Sequence, residues 1–402
     1  MDTQVSVLNP NTFTFSTDLE DPHFITTDPN ALQILEHASK LLAEDQVIAI
    51  PTETVYGLAS NALRPEAIKG IYKAKNRPLD NPLIVHISSL KMLRSILPNG
   101  EIPIVYESAI KRFWPGPLTI LLPKSDLIPS EITCNQPTVA IRFPSHPVAR
   151  ALISKCGFPL AAPSANASGR PSPTLASHVL TDLNKKIPLI IDGGQCSFGV
   201  ESTVIDAIGT KDPVILRPGG VTYEELVKIP EFERLRVYNK DYVDKKQEIA
   251  PTTPGMKYRH YSPNAKMVLV DVCGRVGARD IIEREIQKMV NGGMDNIGIL
   301  VTGSSKTSNG AQPMSVDNFY SNKECAIIND FKVSTANDQN IIEYTLGDSS
   351  HPEEIARELF KGLRYLDERK VDCIIVEGIS EEKEGLAVMN RLRKAASKTI
   401  VE

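Results

Sequence analysis

The sequence predicts an α/β (α+β) protein with two domains. Its 402 residues exceed the length of one typical domain. Short apolar runs alternate with segments of helical periodicity, which is the pattern of layered α/β folds. A charged, proline-containing stretch over 230–264 interrupts this alternation and predicts an interdomain linker. A composition of 41% hydrophobic and 23% charged residues excludes a disordered tail or a fibre.

The N-terminal residues 1–28 are polar and rich in Thr, Asp and Pro, so we expect a flexible leader. No Lys or Arg precedes Lys40 and no apolar run is present, which excludes a signal or transit peptide. No later stretch approaches the roughly 18 apolar residues that span a bilayer. The six cysteines lie far apart without a C-x-x-C pair, which suits a reducing compartment. We therefore expect a cytoplasmic protein with no membrane contact.

The first domain, over 29–229, begins with a helical pattern after Asp28-Pro29. Further helices are predicted at 65–75, 89–97, 103–113, 146–156 and 174–183. Strands are predicted at 47–50, 83–87, 118–122, 138–142, 188–191, 202–206 and 213–217. Periodicity does not give the order of these strands in a sheet.

The second domain, over 265–402, repeats the β and α patterns after the linker. Strands are predicted at 267–270, 297–301 and 373–376, and helices at 276–290, 352–368 and 383–396. This spacing is typical of a small parallel-sheet, Rossmann-like domain, although no G-x-G-x-x-G follows its first strand. The segment 303–322, rich in Ser, Asn and Gly, predicts a flexible loop.

The distribution of charge is uneven along the chain. The formal net charge of −4 argues against a general polyanion binder. Residues 1–40 carry −5 and residues 221–402 carry −3, whereas residues 41–220 carry +4. The first domain is therefore the basic part of the protein.

The usual catalytic motifs are absent: there is no G-x-x-x-x-G-K-[ST], H-E-x-x-H, G-x-S-x-G or metal-spaced Cys/His cluster. Instead, loops rich in Pro, Gly, Ser, Thr and Asn follow several predicted strands, and cations accompany them. Four of these cations are candidates for binding an anion: Lys75, Arg77, Arg142 and Arg217. Each charge-assisted hydrogen bond contributes roughly 1.5–3 kcal/mol. The residues alone predict a cleft for a nucleotide or another phosphate.

Each loop also has a purely structural interpretation. The hydroxyls of PTETVYGL (51–58) could cap the next helix, and Lys75 and Arg77 could complement a helix C-terminus. His86 could be a satisfied structural histidine, and Arg142 could extend its guanidinium to solvent. The run 162–174 could be a polar surface loop, and WPGPLT (114–119) reads as a rigid turn used for packing.

Considered together, these motifs resemble those of the YrdC-like threonylcarbamoyl-AMP synthases, in the long two-domain form of archaea, many bacteria and fungi. The resemblance rests on PTETVYGL (51–58), KNRP (75–78), NPLIVHI (81–87), WPGPLT (114–119), TVAIRFPSHP (138–147), APSAN (162–166), RPSPT (170–174), DGG (192–194), GVEST (199–203) and LRPG (216–219). Beyond the first domain it includes PGMKYRHYSP (254–263) and GLAVMNRLRKAAS (385–397). It thus covers nearly all of residues 30–400.

The resemblance implies a YrdC-like twisted mixed sheet with flanking helices and a basic cleft, followed by a smaller Rossmann-like domain. It implies an enzyme that makes threonylcarbamoyl-AMP and pyrophosphate from ATP, L-threonine and bicarbonate. Mg²⁺ would be held mainly by the nucleotide phosphates, with no metal site in the protein. A separate enzyme complex would transfer the product to tRNA, as N6-threonylcarbamoyladenosine.

The resemblance also implies roles for individual residues. The threonine pocket would contain Thr54, His86, Arg142 and Ser202, with backbone near Ala162. The nucleotide would meet Lys75, Arg77, Asn81, Thr138, Ser164, Asn166, Ser172 and Arg217. Tyr258 and His260, from the linker, would fold over the ATP. Lys75, Arg77 and Arg142 would carry catalysis by aligning the reactants and stabilising charge.

Other functions are compatible with parts of the sequence. A double-stranded RNA or tRNA-binding module without catalysis would use the same basic domain and would bind with strong salt dependence. A carbamoyltransferase acting on another substrate is a third interpretation. Within the synthase hypothesis, we expect the second domain to gate the cleft through the 240–263 segment.

Overall fold

The computed structural model describes residues 2–238, 240–241, 260–272, 278–303, 327–333 and 339–401, with 327–333 and 339 described by their backbone alone. The chain divides into two compact units. The first contains Met1–Ser168 and Ser172–Tyr258, and the second contains Gly169–Pro171 and Arg259–Glu402.

The first unit is a mixed sheet with flanking helices. Its strands are β1 (Gln4–Val7), β2 (Phe13–Phe15), β3 (Phe24–Thr26), β4 (Ile48–Ile50), β5 (Gly57–Asn61), β6 (Ile84–His86), β7 (Leu118–Pro123), β8 (Thr138–Arg142), β9 (Leu160–Ala161), β10 (Leu189–Asp192), β11 (Thr203–Asp206), β12 (Val214–Arg217) and β13 (Arg236–Val237). Its helices are α1 (Pro29–Ala43), α2 (Pro65–Lys75), α3 (Leu90–Ser95), α4 (Glu107–Phe113), α5 (Ser130–Thr133), α6 (Pro147–Cys156), α7 (Ala176–Leu183) and α8 (Tyr223–Leu226). Short 3₁₀ turns lie at Pro10–Thr12, Pro98–Gly100, Ile104–Tyr106 and Pro230–Phe232.

Within the described residues the large sheet has eleven strands in the order β1-β10-β4-β5-β9-β6-β8-β7-β11-β12-β13. The sheet contains both kinds of pair: β6 and β8 are parallel, whereas β7 and β8 are antiparallel. The pair β2-β3 forms a separate two-stranded sheet. The predicted mixed sheet with flanking helices is confirmed.

Helix α1 shows how sequence pattern becomes packing. It begins at Pro29, where the side chain of Asp28 accepts a hydrogen bond from the amide of Asn30. Its buried residues recur at three- and four-residue spacing and face one core: Ala31, Leu35, Ala38 and Leu42. That core also takes residues from α6 and from the strands β4, β5, β9 and β10.

Helix α2 ends in a sharp turn of the backbone at Asn76. Asn76 has φ of 52° and ψ of 47°, a left-handed conformation that stops the helix. The cations Lys75 and Arg77 therefore flank a sharp change of chain direction, and both are buried.

The expectation of a flexible leader over 1–28 is wrong for this structure. Strand β1 pairs in parallel with β10, and β2 pairs with β3. Leu8 and Phe13 are 1% and 7% exposed, and they belong to the core that α1 and α6 cover. The polar composition concealed two three-residue strands, FTF and FIT, whose aromatic side chains provide the apolar contacts.

The second unit contains a six-stranded sheet among its described residues. Its elements are β14 (Lys266–Val270), α9 (Ala278–Asn291), β15 (Asn296–Val301), β16 (Ile327–Val333), β17 (Gln339–Thr345), α10 (Pro352–Glu368), β18 (Cys373–Glu377), α11 (Gly385–Ala395) and β19 (Lys398–Ile400). The strand order is β16-β17-β15-β18-β14-β19, and the pairs are parallel except β16 with β17. The C-terminal parallel sheet is confirmed, with one antiparallel strand added at its edge.

The tripeptide Gly169–Pro171 is bound within the second unit. Nε and Nη2 of Arg364 donate to the carbonyl of Pro171 over 3.1 and 2.5 Å. Arg170 pairs with Asp367, with 3.0 Å between Nη2 and Oδ2. Arg364 is 1% exposed, so these contacts satisfy a buried cation.

The predicted linker over 230–264 begins too early. Residues 230–238 belong to the first unit, because β13 pairs with β12 and Phe232 is fully buried. Residues 242–259 lie outside the described residues, as does the predicted 303–322 loop apart from Gly303. Within the described parts of the chain, no helix combines the length and the apolarity that a membrane span requires.

Candidate active site

A row of polar side chains crosses the centre of the large sheet. Arg217 is the register partner of Val204, which is aligned with Thr119. Thr119 is aligned with Arg142, and Arg142 with His86. Because aligned residues of neighbouring strands share a face and strands lie about 4.8 Å apart, Thr119, Arg142 and His86 lie side by side. The apolar Val204, where the register of β11 and β12 shifts, separates Thr119 from Arg217, and the hydroxyl of Ser202 contacts both of them. We call Arg217, Thr119, Arg142 and His86 the polar row.

Backbone hydrogen bonds connect the loops that surround this row. The amide of Leu58 donates to the carbonyl of Pro163 over 2.7 Å, and the amide of Ala165 donates to Tyr56 over 2.8 Å. Other links of this kind join Tyr56 to Pro173, Ser168 to Lys75, Cys196 to Thr174, Phe198 to Glu53, Thr203 to Pro117, Gly116 to Phe143 and Gly220 to Glu201. The motif loops, which are distant in sequence, therefore form one assembly.

Arg142 is the centre of the row and is 4% exposed. Its Nε donates to the carbonyl of Gly116 over 3.2 Å, and its Nη1 donates to Oγ1 of Thr54 over 2.8 Å. Its Nη2 lies 2.7 Å from Oε1 of Glu53, which is also buried. The guanidinium is therefore held in one plane, and the interpretation of Arg142 as an arginine that reaches solvent does not apply.

His86 and Ala162 meet at a shared acceptor. Nδ1 of His86 lies 3.2 Å from the carbonyl of Ile84, and the amide of Ala162 donates to the same carbonyl over 3.0 Å. Because a carbonyl only accepts, Nδ1 carries the proton and Nε2 is an acceptor. Burial and the charge of Arg142 lower the pKa of His86 to about 3. The ring is therefore neutral at physiological pH.

Ser202 joins two members of the polar row. Its Oγ lies 2.8 Å from Oγ1 of Thr119, and Nη2 of Arg217 donates to the same Oγ over 3.1 Å. Nη2 and Nε of Arg217 also donate to the carbonyl of Ser202 over 2.9 and 3.2 Å. A predicted threonine-pocket residue and a predicted nucleotide residue are thus in direct contact.

Lys75 holds the loop that follows β9. Its ammonium donates to the carbonyls of Ser164 and Asn166, the latter over 2.6 Å, and lies 3.4 Å from Oδ1 of Asn166. Lys75 is 2% exposed and Asn166 is fully buried. The sequence predicts that Lys75 binds an anion. In the structure its ammonium binds the loop that carries Ser164 and Asn166, two predicted nucleotide residues.

Arg77 organises the turn before β6. Its Nη2 donates to the carbonyls of Asn81 and Pro82, each over 3.1 Å. Oδ1 of Asn81 and Oγ1 of Thr138 are buried and have no hydrogen-bond partner among the described residues. Buried polar atoms of this kind are uncommon and suit the recognition of a ligand.

Ser172 is fully buried and donates its hydroxyl proton to Oε1 of Glu201 over 2.5 Å. Glu201 is 7% exposed and its carbonyl accepts from the amide of Gly220. The acid thus links two motif loops, RPSPT and LRPG, through its side chain and its backbone.

The two predicted linker residues are His260 and Tyr258. His260 belongs to the second unit, where its amide donates to the carbonyl of Lys394 over 3.3 Å. Its ring lies 4.5 Å from that of Tyr261. Tyr258 lies outside the described residues.

Three polar residues of the site were not among the predicted site residues: Glu53, Thr119 and Glu201. All three lie inside the motifs PTETVYGL, WPGPLT and GVEST. The available signal was an acid or a hydroxyl placed among apolar residues and glycines in a loop beside a strand. The sequence indicates that WPGPLT serves packing more than chemistry; Trp114 is buried, and the hydroxyl of Thr119 contacts that of Ser202.

The buried acids of the site are occupied by other contacts, since Glu53 pairs with Arg142 and Glu201 accepts from Ser172. Among the residues that the structure describes, no group of three or more His, Cys, Asp or Glu side chains is arranged to hold a metal ion.

The mixed sheet with its assembly of basic and hydroxyl-rich loops, followed by an α/β unit, defines the class of two-domain YrdC-like proteins. The Sua5/YciO/YrdC family model, described as "Telomere recombination", matches residues 40–219. The model described as "Threonylcarbamoyl-AMP synthase, C-terminal domain" matches residues 221–397. The chain belongs to the threonylcarbamoyl-AMP synthase family.

Relatives match over nearly the whole chain. The threonylcarbamoyl-AMP synthase of Schizosaccharomyces pombe is 43% identical and covers 99% of this chain and 98% of the relative. That of Bacillus subtilis is 41% identical and covers 94% and 95%. The crystal structure of Pyrococcus abyssi Sua5 complexed with L-threonine superposes with a TM-score of 0.78 at 40% identity, and all of both chains is covered.

Proposed function

We propose that the assembly around the polar row is the active site in which this protein joins L-threonine, bicarbonate and ATP. Membership of the family makes the chain an L-threonylcarbamoyladenylate synthase, a nucleotidyltransferase that takes part in tRNA modification. The observation that carries the placement of the site is the polar row, because it brings an oriented arginine, a neutral histidine and a second arginine onto one face of the sheet.

Threonine is assigned to the Arg142 end of the row. A guanidinium whose plane is fixed by Gly116, Thr54 and Glu53 suits bidentate binding of the substrate carboxylate. Nε2 of His86 can accept a hydrogen bond from the substrate hydroxyl or amine, since Nδ1 is directed at the carbonyl of Ile84. Thr54, Ser202 and the backbone at Ala162 complete this pocket.

ATP is assigned to the Arg217 end and to the loops around Lys75. The unpartnered Asn81 Oδ1 and Thr138 Oγ1 suit the base or the ribose. The positive charges of Lys75, Arg77 and Arg217 suit the phosphates, with Ser164, Asn166 and Ser172 lining the same loops. Tyr258 and His260 remain proposed ATP contacts from the linker.

The chemistry needs alignment rather than a protein nucleophile. The threonine amine and bicarbonate form an N-carboxy group with loss of water, and one of its oxygens attacks the α-phosphorus of ATP. The new bond is carboxylate oxygen to phosphorus, the bond to the bridging oxygen breaks, and pyrophosphate leaves. Ser202 suits this step because it touches Thr119 on the threonine side and Arg217 on the nucleotide side. Bound Mg²⁺ would neutralise phosphate charge, with the phosphates as its main ligands.

The partners follow from the product. An acyl adenylate is hydrolysed readily, so a separate tRNA threonylcarbamoyltransferase complex would receive it. The +4 charge of residues 41–220 supports at most a weak contact with RNA in a chain whose total is −4. A cytoplasmic location suits both the tRNA substrate of that complex and the widely spaced cysteines.

The test is the release of pyrophosphate from purified protein given ATP, L-threonine and bicarbonate. We expect release only when all three are present, and its loss in Arg77→Ala and Arg142→Ala proteins that remain folded. Pyrophosphate release that does not depend on threonine would contradict the assignment of this site.

A further inference from the structure

Glu53 is a buried acid in the first motif loop, 4% exposed and next to Thr54. Its carboxylate receives three contacts. Oε1 lies 2.7 Å from Nη2 of Arg142 and accepts from the amide of Ser145 over 3.1 Å, and Oε2 accepts from the amide of His146 over 3.4 Å. One side chain therefore connects the central arginine to the turn that follows its own strand.

The carboxylate is ionised in this environment. Burial opposes ionisation, but the close positive charge of Arg142 and the hydrogen bond from the amide of Ser145 together hold the pKa of Glu53 below its ordinary value. An ion pair with both partners buried is rigid, because neither group can exchange its partner for water.

Arg142 makes a contact at each nitrogen: hydrogen bonds to Gly116 at Nε and to Thr54 at Nη1, and at Nη2 an ion pair with Glu53 that is close but lacks hydrogen-bond geometry. A guanidinium has five N–H groups, so at least one proton on each terminal nitrogen is left for a ligand. Two such protons match the two oxygens of a carboxylate, provided that the plane of the guanidinium does not rotate. Of the three contacts, only that of Glu53 is charged.

We propose that Glu53 is the positioning residue for Arg142, which it orients for the carboxylate of the amino-acid substrate. This inference rests on the proposed function, in which Arg142 binds that carboxylate. Glu53 itself does not touch the substrate. It acts by fixing the orientation of a group that does.

A merely structural role for Glu53 makes a different prediction. Its backbone carbonyl accepts from the amide of Phe198, and its side chain ties down the 145–146 turn. If it only held these loops together, its loss would impair threonine and ATP alike. A positioning role impairs threonine selectively.

The experiment compares Glu53→Gln with wild type by steady-state kinetics and by calorimetric titration of L-threonine. We expect the KM and the Kd for threonine to rise about tenfold or more, roughly the effect of one lost charge-assisted hydrogen bond, with the KM for ATP nearly unchanged. The direction of the change in threonine affinity is informative. Removing a negative charge beside Arg142 should by charge alone strengthen its attraction for a carboxylate, so weaker binding reports a loss of orientation.

Two further proteins sharpen the comparison. Glu201→Gln is the matched control, because Glu201 is also a buried acid but binds Ser172 on the nucleotide side; it should raise the KM for ATP more than that for threonine. The double variant Glu53→Gln/Arg142→Lys should be little worse than Arg142→Lys alone, since Glu53 acts only through the arginine. If Glu53→Gln does not fold, Glu53→Asp replaces it with a shortened acid.

Threonine binding that is unchanged or tighter in Glu53→Gln, or equal rises in both KM values, would overturn the proposal. Failure of the proposed function is a separate result: the wild type would form no product. In that case the titration of threonine into wild type and Glu53→Gln still decides whether Glu53 orients Arg142 for the amino acid.

Discussion

Arg142 illustrates how one side chain depends on several loops at once. Its guanidinium is held by a carbonyl from WPGPLT and by a hydroxyl and a carboxylate from PTETVYGL. Its value as a ligand therefore lies in its fixed planar geometry as well as in its charge.

We predict that Arg142→Lys keeps the charge but loses the planar pair of donors. Loss of one or two charge-assisted hydrogen bonds should raise the KM for threonine by roughly 10- to 100-fold, with a much smaller effect on ATP. Threonine-dependent pyrophosphate release measures this. Arg94→Lys, at an exposed ion pair with Glu20, is the control and should behave as wild type.

His86 should make the stability of the protein depend on pH. Its pKa is about 3 in the folded protein and about 6.5 when unfolded, because burial and Arg142 oppose protonation. Between these values the unfolded chain binds the extra proton, so this stability is complete above pH 6.5 and falls as the pH falls. Between pH 7 and pH 5 the loss should be about 2 kcal/mol.

The measurement is urea unfolding of wild type and His86→Asn at these two pH values. The variant should lose less stability on acidification, since asparagine does not titrate. The depressed pKa of Glu53 adds its own loss only at lower pH, as the solution approaches and passes below the ordinary carboxyl range. Equal losses in both proteins would show that His86 is not buried in its neutral form.

The site residues show where sequence reasoning reached its limit. The predicted residues from Thr54 to Arg217 lie within the quoted motifs, and the resemblance to the family indicated them; from the residue types alone only the cations Lys75, Arg77, Arg142 and Arg217 are candidates. Glu53 and Thr119 escaped prediction because their roles depend on cross-strand register and on the neighbouring Arg142, which no local pattern contains. Glu201 was missed in the same way, as its partner Ser172 is 29 residues distant.

At the level of elements, the close approach of the segment after β12 to the segment that leads into β11 depends on Gly219. A Cβ atom at this position would clash with the carbonyl oxygen of Glu201 and with the amide nitrogen of Thr203. Both atoms belong to backbone and cannot move aside without displacing Ser202.

We predict that Gly219→Ala destabilises the protein by at least ~2 kcal/mol and lowers turnover by shifting Ser202 and Arg217. Denaturant unfolding together with pyrophosphate release provides the check. Lys211→Ala, at an exposed position between β11 and β12, should remain within about 0.5 kcal/mol of wild type. An undisturbed Gly219→Ala protein would mean that the two segments are not so close.

The N-terminal strands should contribute to stability although they lie far from the motifs in sequence. Phe13 is 7% exposed and its ring centre lies 6.2 Å from that of Phe24. We expect Phe13→Ala to cost about 3 kcal/mol in the free energy of unfolding, since a buried aromatic ring is removed. Val7→Ala, at a site that is 71% exposed, should cost little. Equal effects would indicate that residues 2–28 are a loose leader after all.

Elements with a clear apolar pattern were predicted closely, including the short strands β4 and β6, whereas β2, β3, β5 and β9 were not predicted. Helices α2 and α10 and strand β8 have their predicted limits. Strand β9 has only two residues, too few to show any alternation, and β2 and β3 have three each. Their existence depends on pairing with distant segments, a tertiary effect that propensity cannot register.

At the scale of the whole molecule, the charge pattern and the division into two units agree with one account. The basic stretch of residues 41–220 contains every member of the polar row, and four of its cations are buried within the motifs: Lys75, Arg77, Arg142 and Arg217. The near-neutral total reflects an acidic N-terminal region and an acidic second half. The second domain remains, as a hypothesis, the element that closes the site and protects an unstable intermediate from water.

The most direct test of the account is mass spectrometry of the product formed from ATP, L-threonine and isotope-labelled bicarbonate. We predict an adenylate that contains threonine and the labelled carbon, formed together with one pyrophosphate for each molecule, and absent when Arg142 is replaced by alanine. An unlabelled adenylate, or the same labelled product from the Arg142→Ala protein, would contradict the proposed site and its chemistry.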